Sequence, residues 1–294
     1  MSCWLVTGAG GMLGLDLMAS LEREGETAFG LTRRDLDISR GHAVTRALRD
    51  YRPDIVVNCA AWTGVDDAET SEDEALLVNG IGARLVATAC SATGTRMVHI
   101  STDYVFGGNA RRPYDENDVT GPSTAYGRTK LAGERAVRDL LPAAGFVVRT
   151  AWLYGANGPN FVRTLIGLEA ERDTVDVVDD QIGQPTWTLD VADQIIALAR
   201  SHAKAGIYHA TSSGQTSWCG LASEIFRLLG ADPRRVRPIN SRAYPRPASR
   251  PSYSVLGHGA WAGTGIEPIP DWRLRLQRAF RVLVPSDRRL AIDS

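Results

Sequence analysis

A tyrosine and a lysine four positions apart are the residues of this sequence best placed to move a proton. Tyr126 and Lys130 fall at the start of a predicted helix, where positions i and i+4 project from one face. A lysine cation within about 4–6 Å stabilises a phenolate and lowers the tyrosine pKa from its usual value near 10. A phenol tuned in this way can protonate a carbonyl oxygen while a hydride reaches the adjoining carbon. The spacing therefore indicates hydride-transfer chemistry, although Tyr-x-x-x-Lys alone also arises by chance.

A strand predicted over residues 96–101 ends beside a run of polar residues, Ser101, Thr102 and Asp103. Open α/β sheets bind their ligands beyond the carboxyl ends of the strands. Thr102 could donate a second hydrogen bond to the carbonyl oxygen that Tyr126 protonates, which would stabilise the developing alkoxide. We predict that Tyr126, Lys130 and Thr102 form the catalytic group.

A glycine-rich turn joins the first predicted strand to the first predicted helix. Gly8, Gly11 and Gly14 give the pattern G-x-x-G-x-x-G. Glycines there permit positive φ, let a pyrophosphate approach the backbone and let the helix pack on the strand. The free N–H groups and dipole at the helix N-terminus then bind the phosphates. Glycine-rich turns are common, and it is the placement between strand and helix that predicts a dinucleotide site.

The residues after the second predicted strand bear on the choice of dinucleotide. An NAD site usually has an acidic residue there to bind the ribose 2′-hydroxyl. This chain has Arg33 and Arg34 first, and a guanidinium can form charge-assisted hydrogen bonds with a 2′-phosphate. The alternative is a solvated arginine pair on a loop. We predict NADPH as the cofactor, with NADH tolerated.

Alternating strands and helices must position these groups. Strands are predicted at 4–7, 28–31, 54–59, 96–101 and 146–149, and helices at 12–24, 42–51, 72–90 and 124–141. This alternation predicts an α/β fold with a Rossmann-type, doubly wound parallel sheet. The second half is less regular, with helices at 160–170, 190–203 and 217–229 and strands at 175–178 and 206–210.

The predicted organisation has two domains. Residues 1–150 and 185–210 would form the dinucleotide-binding domain. Residues 151–184 and 211–294 would form a smaller C-terminal α/β domain that binds substrate. The Pro-, Arg- and Ser-rich segment 242–254 reads as a loop, a linker by default or a ligand clamp if it faces a pocket.

Charge and composition argue against several protein classes. Lys plus Arg (33) nearly balance Asp plus Glu (34), for a net charge of -1, whereas a dedicated nucleic-acid binder usually carries a large basic excess. No stretch approaches the roughly 18 uninterrupted apolar residues of a membrane span, and the N-terminus lacks the regions of a signal peptide. We expect a cytoplasmic protein with no nucleic-acid or membrane partner. Its four cysteines and five histidines show no metal-ligand spacing, so we expect reduced thiols and no metal.

Several segments, taken together in order, resemble the extended short-chain dehydrogenase/reductases, and within them the dTDP-4-dehydrorhamnose reductase family. Besides the glycine turn and the Tyr-x-x-x-Lys pair, residues 58–69 are similar to the family's N-x-A-A-[YW]-T-x-V-D-x-A-E segment. The other similar segments are 101–106 (S-T-D-Y-V-F), 149–155 (R-x-x-W-x-Y-G), 160–161 (N-F), 180–186 (D-Q-x-G-x-P-T) and 250–256 (R-P-x-x-S-x-L). The resemblance covers almost the whole chain.

The resemblance implies an oxidoreductase that transfers hydride from NADPH to the C4 ketone of dTDP-4-dehydro-L-rhamnose and so makes dTDP-L-rhamnose. It places Tyr126 and Lys130 as the catalytic pair and Thr102 as the polarising hydroxyl. The implied substrate contacts are Val65, Thr102, Asp103, Tyr104, Tyr126, Trp152, Asn160, Gln184 and Arg250. The cofactor contacts expected from the turn, the arginine pair and the resemblance are Gly8, Gly10, Gly11, Met12, Leu13, Gly14, Arg33, Arg34, Asp37, Ile38, Ala60, Ala61, Thr63, Asn79, Tyr126 and Lys130.

The resemblance leaves four questions open. Some family members are described as dimers bridged by Mg²⁺ through acidic residues near Asp190 and the C-terminus. The tail from Asp287 has no clear match, so we predict no metal, and we leave both a dependence on Mg²⁺ and a homodimer open. The motifs do not encode the face of hydride attack, so reductases that make a dihydrostreptose or a 6-deoxytalose are alternatives. A dehydratase or epimerase is disfavoured because Tyr104 stands where dehydratases carry a glutamate. A non-catalytic, NADP-binding regulatory subunit is the remaining alternative.

Overall fold

The structure is a computed structural model that describes residues 2–284. Its strands are β1 (Cys3–Thr7), β2 (Thr27–Leu31), β3 (Ile55–Asn58), β4 (Arg96–Thr102), β5 (Gly145–Thr150), β6 (Leu153–Tyr154), β7 (Val175–Val178), β8 (Ile182–Gly183), β9 (Thr186–Trp187), β10 (Gly206–His209), β11 (Thr216–Ser217) and β12 (Val236–Ile239). Its α-helices are α1 (Met12–Arg23), α2 (Gly41–Tyr51), α3 (Glu72–Leu76), α4 (Ala83–Thr93), α5 (Ala125–Leu140), α6 (Phe161–Glu171), α7 (Thr188–Arg200), α8 (Trp218–Leu228) and α9 (Trp272–Leu283).

Six strands form one parallel sheet in the order β2-β1-β3-β4-β5-β10. β3 and β5 are buried along their whole length, as a sheet covered by helices on both faces requires. The strand order reverses between β1 and β3, and ligands of such sheets bind at that switch point, outside the carboxyl ends of the strands. The predicted Rossmann-type fold is confirmed.

Alternate residues of β1 show how the sheet is covered. Trp4 and Val6 face a core that contains Leu17 and Leu21 of α1 and Ile195 of α7. Leu5, between them, faces the opposite core, to which α2, α4 and α5 contribute. The period of two follows from the strand geometry. Both helical layers are thus anchored on apolar residues of the same strands, which fixes the loops at the carboxyl edge of the sheet.

A second hydrophobic core lies in the later part of the chain and contains buried residues of α6, α8 and α9. α9 and β12 were not predicted from the sequence. Asp271 caps α9 by accepting a hydrogen bond from the Arg273 backbone N–H at 2.9 Å, and the helix buries Trp272, Leu276 and Phe280. The six-stranded sheet takes its strands from residues 3–150 and 206–209, as expected for the predicted dinucleotide-binding domain. The division into two domains stays a prediction. Residues 285–294 of the predicted second domain lie outside the described part of the chain.

The helix predicted over residues 72–90 is interrupted. α3 passes into a π-helical turn (Leu77–Gly82) and then into α4. The combined stretch, Glu72–Thr93, is long and apolar enough to pass a length-and-hydropathy test for a membrane span, with a mean hydropathy of 1.4, and half of that window is buried inside the protein. Core helices of soluble proteins pass the same test. The π-helical turn is the feature that matters here, because it lies next to the candidate site.

Candidate active site

The N-terminus of α5 is packed tightly against the segment after β4, and this contact places Tyr126. Thr124 caps the helix by accepting a hydrogen bond from the Gly127 backbone N–H at 3.1 Å. A Cβ at Gly127 would collide with the carbonyl oxygen of Tyr104. The rings of Tyr104 and Tyr126 meet edge to face, with centroids 5.6 Å apart. The first turn of α5 therefore meets the carboxyl end of β4, where the sequence predicted the reacting groups.

Tyr126 and Thr102 lie together in one large cavity of about 1600 Å³. Burial raises the pKa of Tyr126 to about 12, and a hydrogen bond with Thr102 partly opposes this rise. Thr102 itself donates through Oγ1 to Asp103 Oδ1 at 3.0 Å and accepts from the Tyr104 backbone N–H at 3.2 Å. A phenol with a raised pKa stays protonated in neutral solution, so this group is suited to donating a proton.

Asp103 orients Thr102 by accepting the hydrogen bond from its hydroxyl. Burial raises the pKa of this carboxyl to about 6, while hydrogen bonds from Ser254 and Thr102 oppose the rise. Ser254 belongs to the segment 242–254, so the carboxyl also connects the end of β4 to that loop. The predicted position of Asp103 in the cavity wall agrees with the structure.

The placement of Lys130 requires a correction. Its Nζ donates to the carbonyl oxygen of Ile100 at 2.6 Å. Burial lowers the pKa of Lys130 to about 8, and the Glu134 carboxylate opposes this effect. The expected lowering of the Tyr126 pKa is wrong, because burial outweighs the effects that favour the phenolate and raises this pKa instead. Lys130 nevertheless lines the same cavity as Tyr126.

The glycine turn also lines the cavity, and its shape fits a dinucleotide. Gly8 has φ of +68°, and a Cβ there would lie 2.5 Å from the Ala60 backbone nitrogen. A Cβ at Gly14 would collide with the Gly8 carbonyl oxygen, so that glycine allows α1 to pack closely on the turn. Gly11 caps α1 without a side-chain hydrogen bond, and the first residues of α1 line the cavity, so the N-terminus of this helix suits an anion.

Most predicted cofactor residues are brought together here. Those that line the cavity are Gly8, Gly10, Gly11, Met12, Leu13, Gly14, Arg33, Asp37, Ile38, Ala60, Ala61, Thr63, Tyr126 and Lys130. Arg34 lies instead in an adjoining cavity of about 330 Å³ together with Arg40, His42 and Arg46. Arg33 lines both cavities, so the arginine-rich basin continues directly from the dinucleotide cradle.

Asn79 does not line the cavity, which corrects the predicted cofactor contact. It lies in the π-helical turn, and its side chain accepts from the Trp62 backbone N–H at 2.8 Å and donates to the Trp62 carbonyl at 3.1 Å. It also donates to Thr129 Oγ1 at 3.1 Å. Asn79 therefore holds the cavity-lining loop after β3 against α5.

Two predicted substrate residues are not among those that line the cavity. Gln184 is buried, and its amide clamps the backbone of Leu256: Oε1 accepts from the Leu256 N–H at 2.8 Å and Nε2 donates to the Leu256 carbonyl at 3.1 Å. Asn160 caps α6 by accepting from the Arg163 N–H at 3.1 Å, and its Nδ2 donates to the Gly155 carbonyl at 2.9 Å. Gln184 is therefore corrected to a structural position. Substrate contact by Asn160, which adjoins the cavity-lining Pro159 and Phe161, stays a prediction. Gln181, three residues before Gln184, lines the cavity instead.

The remaining predicted substrate residues do line the cavity: Val65, Thr102, Asp103, Tyr104, Tyr126, Trp152 and Arg250. Trp152 adopts a left-handed backbone conformation with φ of +46°. Its indole stacks on Trp218 with ring centroids 3.5 Å apart and planes within 5°, and Phe161 packs against Trp218. Such strain persists only where the surroundings impose it, often at a ligand site. Sequence reasoning missed Trp218, since only the fold brings α8 to Trp152.

Arg250 is paired rather than free. Its guanidinium donates to both carboxylate oxygens of Asp66, at 2.8 Å each, and Asp66 also accepts from the Ala248 N–H at 3.1 Å. The arginine holds the pKa of Asp66 below its usual value. Asp66 belongs to the loop after β3, so this ion pair joins that loop to the segment 242–254. Arg242 and Arg246 also line the cavity, so the segment meets the condition for a ligand clamp; that it clamps a ligand stays a prediction.

The resemblance associates Mg²⁺ with a position near Asp190, and this carboxylate already has a partner. Asp190 forms an ion pair with Arg275. Within residues 2–284 no group of three or more His, Cys, Asp or Glu side chains could hold a metal ion. The tail from Asp287, on which the prediction of no metal partly rested, lies outside the described residues.

A proton donor beside a dinucleotide cradle is the arrangement of an oxidoreductase of the α/β dinucleotide-binding class, and this chain is such an enzyme. The family described as RmlD substrate binding domain matches residues 2–284. A dTDP-4-dehydrorhamnose reductase of Streptomyces griseus is 56% identical over 284 residues, covering 95% of this chain and 93% of that relative. A dTDP-4-keto-6-deoxy-D-glucose reductase of Streptomyces niveus is 55% identical over 280 residues, covering 95% and 97%.

A solved structure is also similar to this chain. The dTDP-4-dehydrorhamnose reductase of Bacillus anthracis in complex with NADP has a TM-score of 0.91 and 38% identity, covering 95% of this chain and 99% of that chain. The chain belongs to the RmlD family, which confirms the resemblance found in the sequence.

Proposed function

We propose that the protein reduces the C4 ketone of dTDP-4-dehydro-L-rhamnose to give dTDP-L-rhamnose, with NADPH as the reductant. The observation that carries the proposal is the protonated, partly buried phenol of Tyr126, hydrogen-bonded to Thr102, in the cavity that the glycine turn also lines. The name of the Streptomyces griseus relative supports the substrate. The NADP complex of the Bacillus anthracis enzyme supports the cofactor.

When bound, the reduced nicotinamide supplies the hydride. Tyr126 then acts as the general acid that gives its proton to the C4 oxygen, and general acid catalysis of this kind contributes about 10²–10⁴-fold. Thr102 holds the phenol by its hydrogen bond. Its own hydroxyl proton goes to Asp103 Oδ1, so Thr102 polarises the C4 oxygen only when that proton turns from Asp103 to the ketone. The buried ammonium of Lys130 stabilises the phenolate that remains after proton donation. These three residues complete the proton transfer without a metal.

The cofactor would be held by the cradle already described. Gly8, Gly11 and Gly14 let the pyrophosphate approach the backbone at the N-terminus of α1. Arg33 lies where the cradle meets the arginine-rich basin, which suits the 2′-phosphate of NADPH. We propose this preference with NADH tolerated.

The substrate would occupy the other half of the cavity. The exposed face of the Trp152–Trp218 pair offers an apolar wall for the C–H groups and the 6-methyl of a deoxysugar. Arg250 contributes by holding the segment 242–254 through Asp66, so its effect on substrate binding is exerted through the loop.

A second candidate substrate is another dTDP-4-ketosugar. The Streptomyces niveus relative bears a different substrate name at almost the same identity as the Streptomyces griseus relative, so identity does not distinguish them. Reductases that give a dihydrostreptose or a 6-deoxytalose use the same proton relay with a different sugar or face of attack. A regulatory subunit that binds NADP without turnover is the non-catalytic alternative.

One experiment separates these functions. The protein is supplied with enzymatically generated dTDP-4-dehydro-L-rhamnose, NADPH loss is followed at about 340 nm, and the sugar product is identified by NMR. Oxidation of NADPH with formation of dTDP-L-rhamnose supports the proposal. A talo- or streptose-type product would keep the mechanism and change the substrate assignment. NADPH binding without turnover on any ketosugar would favour the regulatory subunit.

Three further properties belong to the same proposal. We propose that the enzyme works in the cytoplasm, with a dTDP-sugar as its ligand and no nucleic-acid or membrane partner. A homodimer is compatible with the proposal. We assign no role to Mg²⁺, on the ground that Asp190 is already neutralised by Arg275.

A further inference from the structure

A buried carboxylate lies one helical turn beyond Lys130 and is not part of the proton relay described above. Tyr126, Lys130 and Glu134 follow one another at i, i+4 and i+8 on α5, so all three project from one face of the helix. Lys130 is 2% exposed and Glu134 is 1% exposed. Burying a carboxylate destabilises the folded state unless the carboxylate is paired and hydrogen-bonded. The partners of Glu134 therefore indicate its role.

Glu134 is held by two strands of the sheet. Ser101 of β4 donates through its hydroxyl to Glu134 Oε1 at 2.5 Å. Arg149 of β5 donates to both carboxylate oxygens, at 2.9 and 2.7 Å. Because Ser101 immediately precedes Thr102, the carboxylate fixes the end of β4 against α5 at the point where Thr102 meets Tyr126.

Glu134 is also the charged group that favours the ammonium of Lys130. The titratable groups that interact with Lys130 are Glu134 on its own helix, His99 on β4 and Cys59 after β3. Tyr126 lies one helical turn before Lys130, and Arg149 on β5 is the ion-pair partner of Glu134. Burial lowers the pKa of His99 well below its usual value and raises the pKa of Cys59 to about 12. Both are therefore neutral at the pH of an enzyme assay, and the phenol of Tyr126 is neutral as well.

We propose that Glu134 is a positioning residue of this enzyme: it fixes Ser101 and the adjoining Thr102 against α5, and its negative charge stabilises the buried ammonium of Lys130. The proposal rests on the proposed function, since it assigns Glu134 a task through Thr102 and Lys130. Tyr126, Lys130 and Glu134 then act together on a single face of α5, where Glu134 keeps Lys130 charged.

The chain offers a direct test, because it contains only two lysines, Lys130 and the exposed Lys204. Protein labelled with ¹³C at the lysine ε-carbon gives one signal for each, and Lys204→Met assigns them. The signal of Lys130 is followed as the pH is raised, in the wild type and in Glu134→Gln. We expect the pKa of Lys130, about 8 in the wild type, to fall by about one unit or more in Glu134→Gln. An unchanged midpoint would overturn the electrostatic role.

Two further variants control for loss of folding and for a general effect of charge removal. Glu134→Gln leaves Arg149 buried without its partner, which can prevent folding, so the double variant Glu134→Gln/Arg149→Met removes both charges. We expect its Lys130 midpoint to fall in the same direction by a smaller amount. Glu116→Gln is the matched control, because Glu116 is also a buried carboxylate and its Oε1 accepts from the Ala260 N–H at 3.1 Å. An equal shift in Glu116→Gln would show a general effect of charge removal and overturn the proposal.

The role of the Ser101 bond has its own readout. Ser101→Ala removes the hydroxyl and keeps the Glu134 carboxylate, so the Lys130 titration should stay in place while kcat falls by about tenfold with KM nearly unchanged. An unchanged kcat would overturn this part of the proposal. The lysine titration needs no substrate, so failure of turnover on every ketosugar would refute the proposed function, whereas failure of the titration to move would refute the role of Glu134 alone.

Discussion

Replacing Lys130 by methionine should make the protein more stable in neutral solution while it abolishes most of the activity. Lys130 is 2% exposed, and burial lowers its pKa from 10.5 to about 8. A lowered pKa of this size corresponds to about 3 kcal/mol of unfavourable free energy for the charged form in the folded state. The bond from Lys130 to the Ile100 carbonyl is lost in the variant, at a cost of about 1 kcal/mol. We therefore expect Lys130→Met to be more stable by about 2 kcal/mol at neutral pH.

The pH dependence gives the sign of the effect. Below a pH of about 8, Lys130 is charged in the folded and unfolded states, and folding carries the full cost of burying the charge. Between this pH and 10.5 the folded state releases its proton first, so the unfolded state binds more protons and wild-type stability rises with pH. The advantage of Lys130→Met should vanish over this interval and reverse to a deficit of about 1 kcal/mol above it.

Urea denaturation followed by tryptophan fluorescence measures this difference at several pH values. Lys204→Met is the matched control, because it removes the exposed lysine and should leave the pH dependence unchanged. The reasoning is refuted if the stability difference between Lys130→Met and the wild type is the same at neutral pH as above a pH of about 10.5. In parallel assays we expect kcat of the variant to fall by about 10²-fold.

Three other predictions concern the proposed roles. Tyr126→Phe should lower kcat by about 10²-fold in steady-state assays and leave NADPH affinity nearly intact; a rate near that of the wild type would exclude Tyr126 as the acid. Arg33→Ala should weaken NADPH by about tenfold more than NADH in binding titrations, and equal losses would show that the guanidinium does not meet a 2′-phosphate. Arg250→Asp should raise the KM for the sugar nucleotide, and the added change Asp66→Arg should restore part of it through about 1 kcal/mol of coupling. No recovery in the double variant would mean that Arg250 contacts the substrate itself.

Local sequence patterns predicted the parts of the site that lie within a few consecutive residues. The glycine turn could be predicted because positive φ at Gly8 and the close packing at Gly14 are requirements that only glycine meets. The shared face of Tyr126 and Lys130 follows from the helical repeat. The parallel sheet with helices on both faces followed from alternation, since β1, β3, β4 and β5 are short buried runs between helical patterns.

Contacts between distant segments could not be predicted in this way. The bond from Lys130 to Ile100 depends on how closely α5 lies on β4, and it changed the expected partner of the ammonium. Gln184 and Gln181 lie in the same motif, yet only the geometry around β8 shows that Gln181 lines the cavity while Gln184 binds the backbone of Leu256. The stacking of Trp152 on Trp218 joins residues on separate elements. The sequence of α9 carries a usable signal, an Asp271 cap before apolar residues at helical spacing, although this helix was not among those predicted.

The position of β10 at the edge of the sheet has a consequence for synthesis of the chain. β10 pairs with β5, but the residues that separate the two strands include β6–β9, α6 and α7. At about 5–20 residues per second, a ribosome needs about 3–12 s to extend the chain from the end of β5 to the end of β10. During this interval β5 presents an unpaired edge, a template for pairing with another chain. The nascent protein therefore passes through a period in which its most buried strands are exposed to aggregation, and chaperones or slow expression at low temperature should raise the yield of folded enzyme.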